Sequence, residues 1–166
     1  MEPVTPGPLR PPDDGGAGWD VSVQRARTRW ERFRHGRLTR GGLVRVHAEN
    51  KYLLLAHSTT HYRQLGRIVA APPSVAIDEQ VAQYQTGFDE ALACPPSTGT
   101  HANVLQHLAG YFKSRLAHHE RARILDAIEA FRAGRAPLAL PLELIAQQAR
   151  ALDIDYLLAQ TYLGAA

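Results

Sequence analysis

The chain has 166 residues, 45% hydrophobic and 21% charged, with 19 Lys and Arg against 16 Asp and Glu. That length suits one domain able to bury a core without disulfide or metal staples. One cysteine, Cys94, excludes an intramolecular disulfide framework and any iron–sulfur cluster or Cys-rich zinc site built from this chain alone.

Residues 1–18, MEPVTPGPLRPPDDGGAG, are rich in Pro and Gly, lack hydrophobic periodicity and read as a disordered lead-in. They have no basic start or apolar stretch of the kind a secretory signal carries. No apolar run approaches the ~18 residues of a membrane span. A soluble, cytoplasmic protein is the expectation. Residues 19–166 read as one all-α domain. A first helix, Trp19–Arg34, sets Trp19, Val23, Ala26, Trp30 and Phe33 near one face, and Gly36 stops it. Thr39 caps a second, from about Arg40 to His57. Ser58 or Thr59 caps a third, through His61–Ala70, stopped by Pro72 and Pro73. Ser74 or Asp78 opens a fourth that ends near Cys94, before Pro95 and Pro96. Thr98 or Thr100 opens a fifth, His101–Leu116, and a sixth runs from near His118 through Arg132 to a stop at Gly134. Pro137 and Pro141 bracket an extended link, with Pro141 fit to start a seventh helix. Asp153 or Asp155 caps a short last one, Tyr156–Leu163. The pattern predicts a single compact bundle of six to eight helices with short loops.

The charge is unevenly distributed along this bundle. Residues 19–70 hold eleven Lys and Arg against Asp20, Glu31 and Glu49, whereas residues 71–166 hold seven against ten acidic residues. The basic run is dominated by arginine, whose planar fork suits phosphate and carboxylate. Arg25, Arg29 and Arg32, spaced i, i+4, i+7, share one helical face. Two readings follow: a solvated helix whose arginines pair with the acidic C-terminal half, or a footprint for an anionic partner such as nucleic acid.

Two helices mix polar groups into apolar surroundings. The second is apolar around most of its circumference over Tyr52–Ala56, the mark of a central helix, yet places His47, Asn50 and Lys51 one turn earlier. The fifth sets Asn103, His107 and Gly110 in a polar, small-residue stripe beside Gln106 and Tyr111. Gly110 costs ~1 kcal/mol against Ala inside a helix, which suggests a close backbone approach by a helix or ligand. These groups read either as hydrogen-bonded core residues or as a shared polar pocket between helices two and five. Metal ligation is not expected, because the histidines lack acidic companions at helical ligand spacing and no H-E-x-x-H occurs. Walker, G-x-G-x-x-G and G-x-S-x-G motifs are absent, and Cys94 has no cation beside it in sequence. Acid–base chemistry by His47, His107 or Lys51 is the enzymatic alternative.

The segments FRHGRLTRGGLVRVHAENKYLLLAHSTTHYRQLGRIVA and HANVLQHLAGYFKSRLAHHERARILDAIEAFRAGRAPLALPLELIAQQARALDIDYLLAQTYL carry long, specific motifs. They are H-x-x-N-K before LLLAH, H-Y-R-x-L-G-R, N-V-L-Q-H-L-x-G-Y-F-K and P-L-x-L-P-L. Over about Phe33–Leu163 the chain resembles the YbgA-like family of domains of unknown function. Such domains occur alone or fused behind an iron–sulfur domain similar to thiouracil and thiouridine desulfidases. The resemblance implies work near thiolated nucleobases, nucleotides or tRNA, beside a separately encoded iron–sulfur desulfidase-like protein. With one cysteine, cluster-based desulfidation is not expected of this chain alone. The resemblance carries no catalytic residues and no cofactor.

The expected function is therefore that of a non-catalytic helical module that binds nucleic acid or a nucleotide, accessory to a separate enzyme. The alternative is a small-molecule enzyme or binder using the polar pocket. Pocket candidates are His47, Asn50, Lys51, His57, Asn103, His107, Tyr111 and Lys113. Candidates for anion or nucleic-acid contact are Arg25, Arg29, Arg32, Arg37, Arg40, His61, Tyr62, Arg63 and Arg67.

Overall fold

The computed structural model describes residues 16–165, with the side chains of 20–164. The expected lead-in is outside the described residues as far as residue 15. Gly16 to Gly18 already belong to the first helix, α1 (Gly16–Arg34), which starts one turn earlier than its apolar face suggests. Eight more helices follow among the described residues: α2 (Arg40–Glu49), α3 (Lys51–His57), α4 (Thr59–Val69), α5 (Ile77–Ala93), α6 (Thr98–Ala109), α7 (His118–Arg132), α8 (Ala139–Ala151) and α9 (Asp155–Leu158). Short 3₁₀ turns cover Gly110–Phe112 and Thr161–Ala165, and none of the described residues forms a strand. The all-α bundle expected from the periodicity is the fold. No helix among the described residues is long and apolar enough to cross a membrane.

Local capping explains most boundaries. The Thr39 hydroxyl accepts from Gly42 N–H at 3.0 Å, and the Ser58 hydroxyl accepts from His61 N–H at 3.3 Å. Ser97, rather than Thr98 or Thr100, caps α6, in a reciprocal box with Thr100. Gly134 adopts φ +69° at the end of α7, where Arg135 N–H reaches back to the Ala130 carbonyl at 2.8 Å. Pro141 falls inside the first turn of α8, which begins two residues before it.

One expected helix is two. The segment Arg40–His57 breaks at Asn50, whose amide nitrogen donates to the Val46 carbonyl at 2.8 Å. The carbonyls released there find partners far along the chain. Gln160 Nε2 donates to Ala48 O at 3.0 Å, and the Thr161 hydroxyl bonds Glu49 O at 3.3 Å and Asn50 Oδ1 at 2.8 Å. Polar side chains inserted into a helical ladder kink it. All three residues are buried.

The short α3 is the axle of the bundle, with Tyr52, Leu53, Leu54, Ala56 and His57 all buried. α4, α5, α6 and the C-terminal 3₁₀ turn pack around it. The core on its α5 side is aromatic: Trp30 stacks on Tyr84 with centroids 5.0 Å apart, and Phe88 closes against both. Arg40 braces the α4–α5 turn. Its guanidinium donates to the carbonyls of Ala71, Pro73 and Val75 and to Gln80 Oε1, while Gln80 Nε2 caps the last α4 carbonyls at Ile68 and Val69.

Candidate functional site: a tyrosine platform with one lysine

The kink at Asn50 brings the last turn of α2 and the first turn of α3 to one surface region. His47 comes from α2, Lys51 and Tyr52 from α3. Tyr62 enters from α4, Tyr111 from the 3₁₀ turn after α6, and Tyr156 from α9. The His47 ring lies flat on Tyr62, with centroids 5.1 Å apart and planes 7° from parallel. Its Nδ1 meets the Tyr84 hydroxyl at 3.1 Å. Burial, then the nearby Lys51 ammonium, lower the His47 pKa to about 4, so its imidazole is neutral at physiological pH.

Tyr52 donates its hydroxyl to Tyr111 at 3.3 Å, and the Tyr111 ring stacks on Tyr156 at 5.7 Å and 26°. The Lys51 ammonium stands 5.2 Å from the Tyr52 ring centroid. Burial, and next the Tyr111 hydrogen bond, raise the Tyr52 phenol. Burial and Tyr111 push Tyr156 up to about 12. The Tyr62 phenol acts electrostatically on both. Tyr52, Tyr62 and Tyr156 are therefore protonated at neutral pH, offering O–H donors and acceptors. Tyr111 and Tyr156 keep 38% of their surface in solvent each, which leaves a stacked aromatic pair open to a ligand. Flat faces, phenol hydroxyls and one ammonium suit a planar, anionic molecule.

The sequence candidates divide clearly. His47, Lys51, Tyr62 and Tyr111 come together here. Asn50 serves the kink. His57 is buried, with Nδ1–H donating to the Cys94 carbonyl at 2.6 Å, and burial lowers its pKa. Asn103, His107 and Lys113 are exposed along α6 and just beyond it. Gly110 is exposed too, and a Cβ placed on it would meet open space, so no helix approaches there. It marks the change from α to 3₁₀ winding.

The arginines are mostly free of internal counter-charges. Arg27 pairs with Asp89, Arg29 with Glu49, and Arg34 with Glu31. Arg25, Arg32, Arg37, Arg63 and Arg67 are exposed and make no ion pair among the described residues. Arg40 is committed to the α4–α5 turn. His61 holds the Ser58 hydroxyl at 2.8 Å, faces Glu90 at 3.7 Å, and approaches the Cys94 sulfur at 3.8 Å. That imidazole is a neighbour of Cys94 that adjacency in sequence does not reveal.

Tyr52 and Tyr156 are platform residues missed from the sequence. Tyr52 reads as part of an apolar run, and Tyr156 as the opening of a terminal helix. Their signal is weak: each follows a charged residue, Lys51 or Asp155, at the first turn of its helix.

A family model described as "Protein of unknown function (DUF1722)" matches residues 51–165. The chain belongs to this family. It is also 38% identical over 109 residues to "Uncharacterized protein YbgA" of Escherichia coli (strain K12), a match covering 65% of this chain and 64% of that relative. The chain thus spans a little under two thirds of that relative's length. No solved structure matches the chain. Lys51, Tyr52, Tyr62, Tyr111 and Tyr156 are inside the segment matched to the family, and the arginines of α1 and α2 are outside it.

Proposed function

We propose that the protein is a non-catalytic module that binds nucleic acid or a nucleotide, with the tyrosine platform holding a base. The observation that carries this reading is the exposed Tyr111–Tyr156 stack, joined by the Tyr52 hydroxyl to the ring that Lys51 overhangs. Base–aromatic stacking is worth ~1–3 kcal/mol per base, and an ammonium beside it complements a phosphate. The unpaired, exposed arginines supply further positive charge on the surface. The role is accessory: the platform binds, and a separate enzyme, such as an iron–sulfur desulfidase-like protein, does the chemistry. As an accessory module acting on tRNA or nucleotides, the protein would work in the cytoplasm.

The test is fluorescence anisotropy with labelled single-stranded oligonucleotides and tRNA across a salt series. Binding should weaken as salt rises, with log K falling by about 0.7 per log unit of salt for each phosphate neutralised on a single strand. Tyr111→Ala and Tyr156→Ala should each weaken binding roughly 5- to 150-fold. Salt-independent or absent binding would refute the reading. The alternative, a His/Asn/Lys pocket, keeps His47 and Lys51 but not Asn50, whose amide is used inside the fold.

A further inference from the structure

An open groove of ≈ 420 Å³ between α1 and α2 is lined by Arg29, Arg32 and Arg45, with Glu49 as its one carboxylate. Arg29 meets Glu49 at 3.2 Å and also donates to the Ala159 carbonyl at 2.5 Å, so that pair is neutralised and fixed in place. The guanidinium groups of Arg32 and Arg45 make no hydrogen bond or ion pair among the described residues. Two uncompensated guanidinium groups therefore share one concave surface. The Phe33 ring closes the gap between the helices over Gly42, where a Cβ would fall 2.7 Å from it. That packing fixes the separation of Arg32 on α1 from Arg45 on α2.

The groove continues. A second depression of ≈ 500 Å³ along α1 shares Arg29 and Arg32 and adds Arg25, with Asp20 as its one carboxylate. From Arg25 to Arg32 the helix advances about 10 Å. This string of cations is longer than a single phosphate needs. At its middle, Arg29 is anchored on the carbonyl of Ala159, three residues beyond Tyr156 in sequence.

We infer that the α1–α2 groove is a phosphate track, and that the ligand is a polynucleotide strand rather than a free nucleotide. Several successive phosphates lie along Arg25, Arg32 and Arg45, with Arg29 held by Glu49 between them, while a base rests on Tyr111 and Tyr156. Guanidinium forks match phosphodiester oxygens, so the track holds the backbone of the strand. The inference rests on the base-binding reading above for the class of ligand, and the test separates the two.

The full chain is titrated with a ten-residue single-stranded oligonucleotide and with a nucleoside 5′-monophosphate. The comparison covers wild type, Arg32→Glu/Arg45→Glu, Arg32→Gln/Arg45→Gln and Tyr111→Ala. Thermal melts confirm folding, and the Gln pair decides the matter if the Glu pair does not fold. The oligonucleotide should bind at least tenfold more tightly than the monophosphate. Both double variants should weaken oligonucleotide binding tenfold or more and reduce its salt slope by about 1.4, the value for two phosphates. Monophosphate binding should stay within twofold, whereas Tyr111→Ala should weaken both ligands. Unchanged oligonucleotide affinity and slope in the arginine variants, with loss in Tyr111→Ala, would overturn the track and leave the platform. Loss in the arginine variants alone would uphold the track and overturn the platform. If no oligonucleotide binds, the track falls, and if the monophosphate does not bind either, the platform falls with it.

Discussion

The hydroxyl of Thr161 donates to the amide oxygen of Asn50 at 2.8 Å, across 111 residues of sequence and in a fully buried setting. This bond ties the C-terminal 3₁₀ turn to the break between α2 and α3. The break in turn aims Lys51 and Tyr52 at the platform. Thr161→Val keeps the shape and removes the donor, leaving Asn50 Oδ1 buried without it. The expected loss is about 1–3 kcal/mol of stability, read from urea denaturation. Asn50→Ala should cost at least as much, because it also removes the bond to the Val46 carbonyl.

Arg40 separates structure from ligand binding. Its guanidinium serves four acceptors around the α4–α5 turn, and hydrogen bonds to charged groups contribute ~1.5–3 kcal/mol each. Arg40→Ala should lower the melting temperature markedly, while oligonucleotide affinity of the folded protein stays near wild type. An affinity loss comparable to that of Arg32→Glu/Arg45→Glu, without loss of stability, would return Arg40 to the anion-binding group.

Gly110 offers the opposite case. It has φ −58° and ψ −29°, values any residue adopts, and a Cβ there meets nothing. Gly110→Ala should stabilise the protein by about 0.4–1 kcal/mol, chiefly by restricting the unfolded chain. A denaturation midpoint unchanged or lowered would contradict this.

Acid should weaken the fold through three histidines. Burial lowers His47 and His101 to about 4 and lowers His57 as well, against an ordinary value of 6.5. The unfolded chain therefore binds more protons than the folded one between about pH 6.5 and 4. Stability present above pH 6.5 is lost as pH falls through that window, at up to about 1.4 kcal/mol per pH unit for each histidine. Urea midpoints at pH 7 and pH 5 measure the effect. His101→Gln, which retains a partner for the Tyr162 hydroxyl, should flatten the dependence by one histidine's share.

What could be read from sequence was local. The caps at Thr39 and Ser58, the stop at Gly134 and the largely apolar circumference of Tyr52–Ala56 need only neighbouring residues, and each is in place. The break at Asn50 could not be read that way. Its cause is the pair Gln160 and Thr161, more than a hundred residues away. Arg40 looked like one more member of a basic run because its acceptors are carbonyls, which no side-chain pattern records. His107 and Asn103 looked like a buried stripe, but α6 turns that stripe to solvent and packs its other faces on α3 and α7. The platform was half legible: Tyr62 and Tyr111 fell within recognisable motifs, whereas Tyr52 and Tyr156 join them only through tertiary packing.

The platform draws on five separate elements, from His47 in α2 to Tyr156 in α9, and no single supersecondary unit contains it. A partly folded chain has no such surface, so a ligand that rests on it recognises only the complete native state. Ligand occupancy and global folding are thereby linked. A ligand at a hundred times its Kd should raise the free energy of unfolding by about 2.7 kcal/mol. Local opening of α9 should suppress binding as fully as loss of the tyrosine itself.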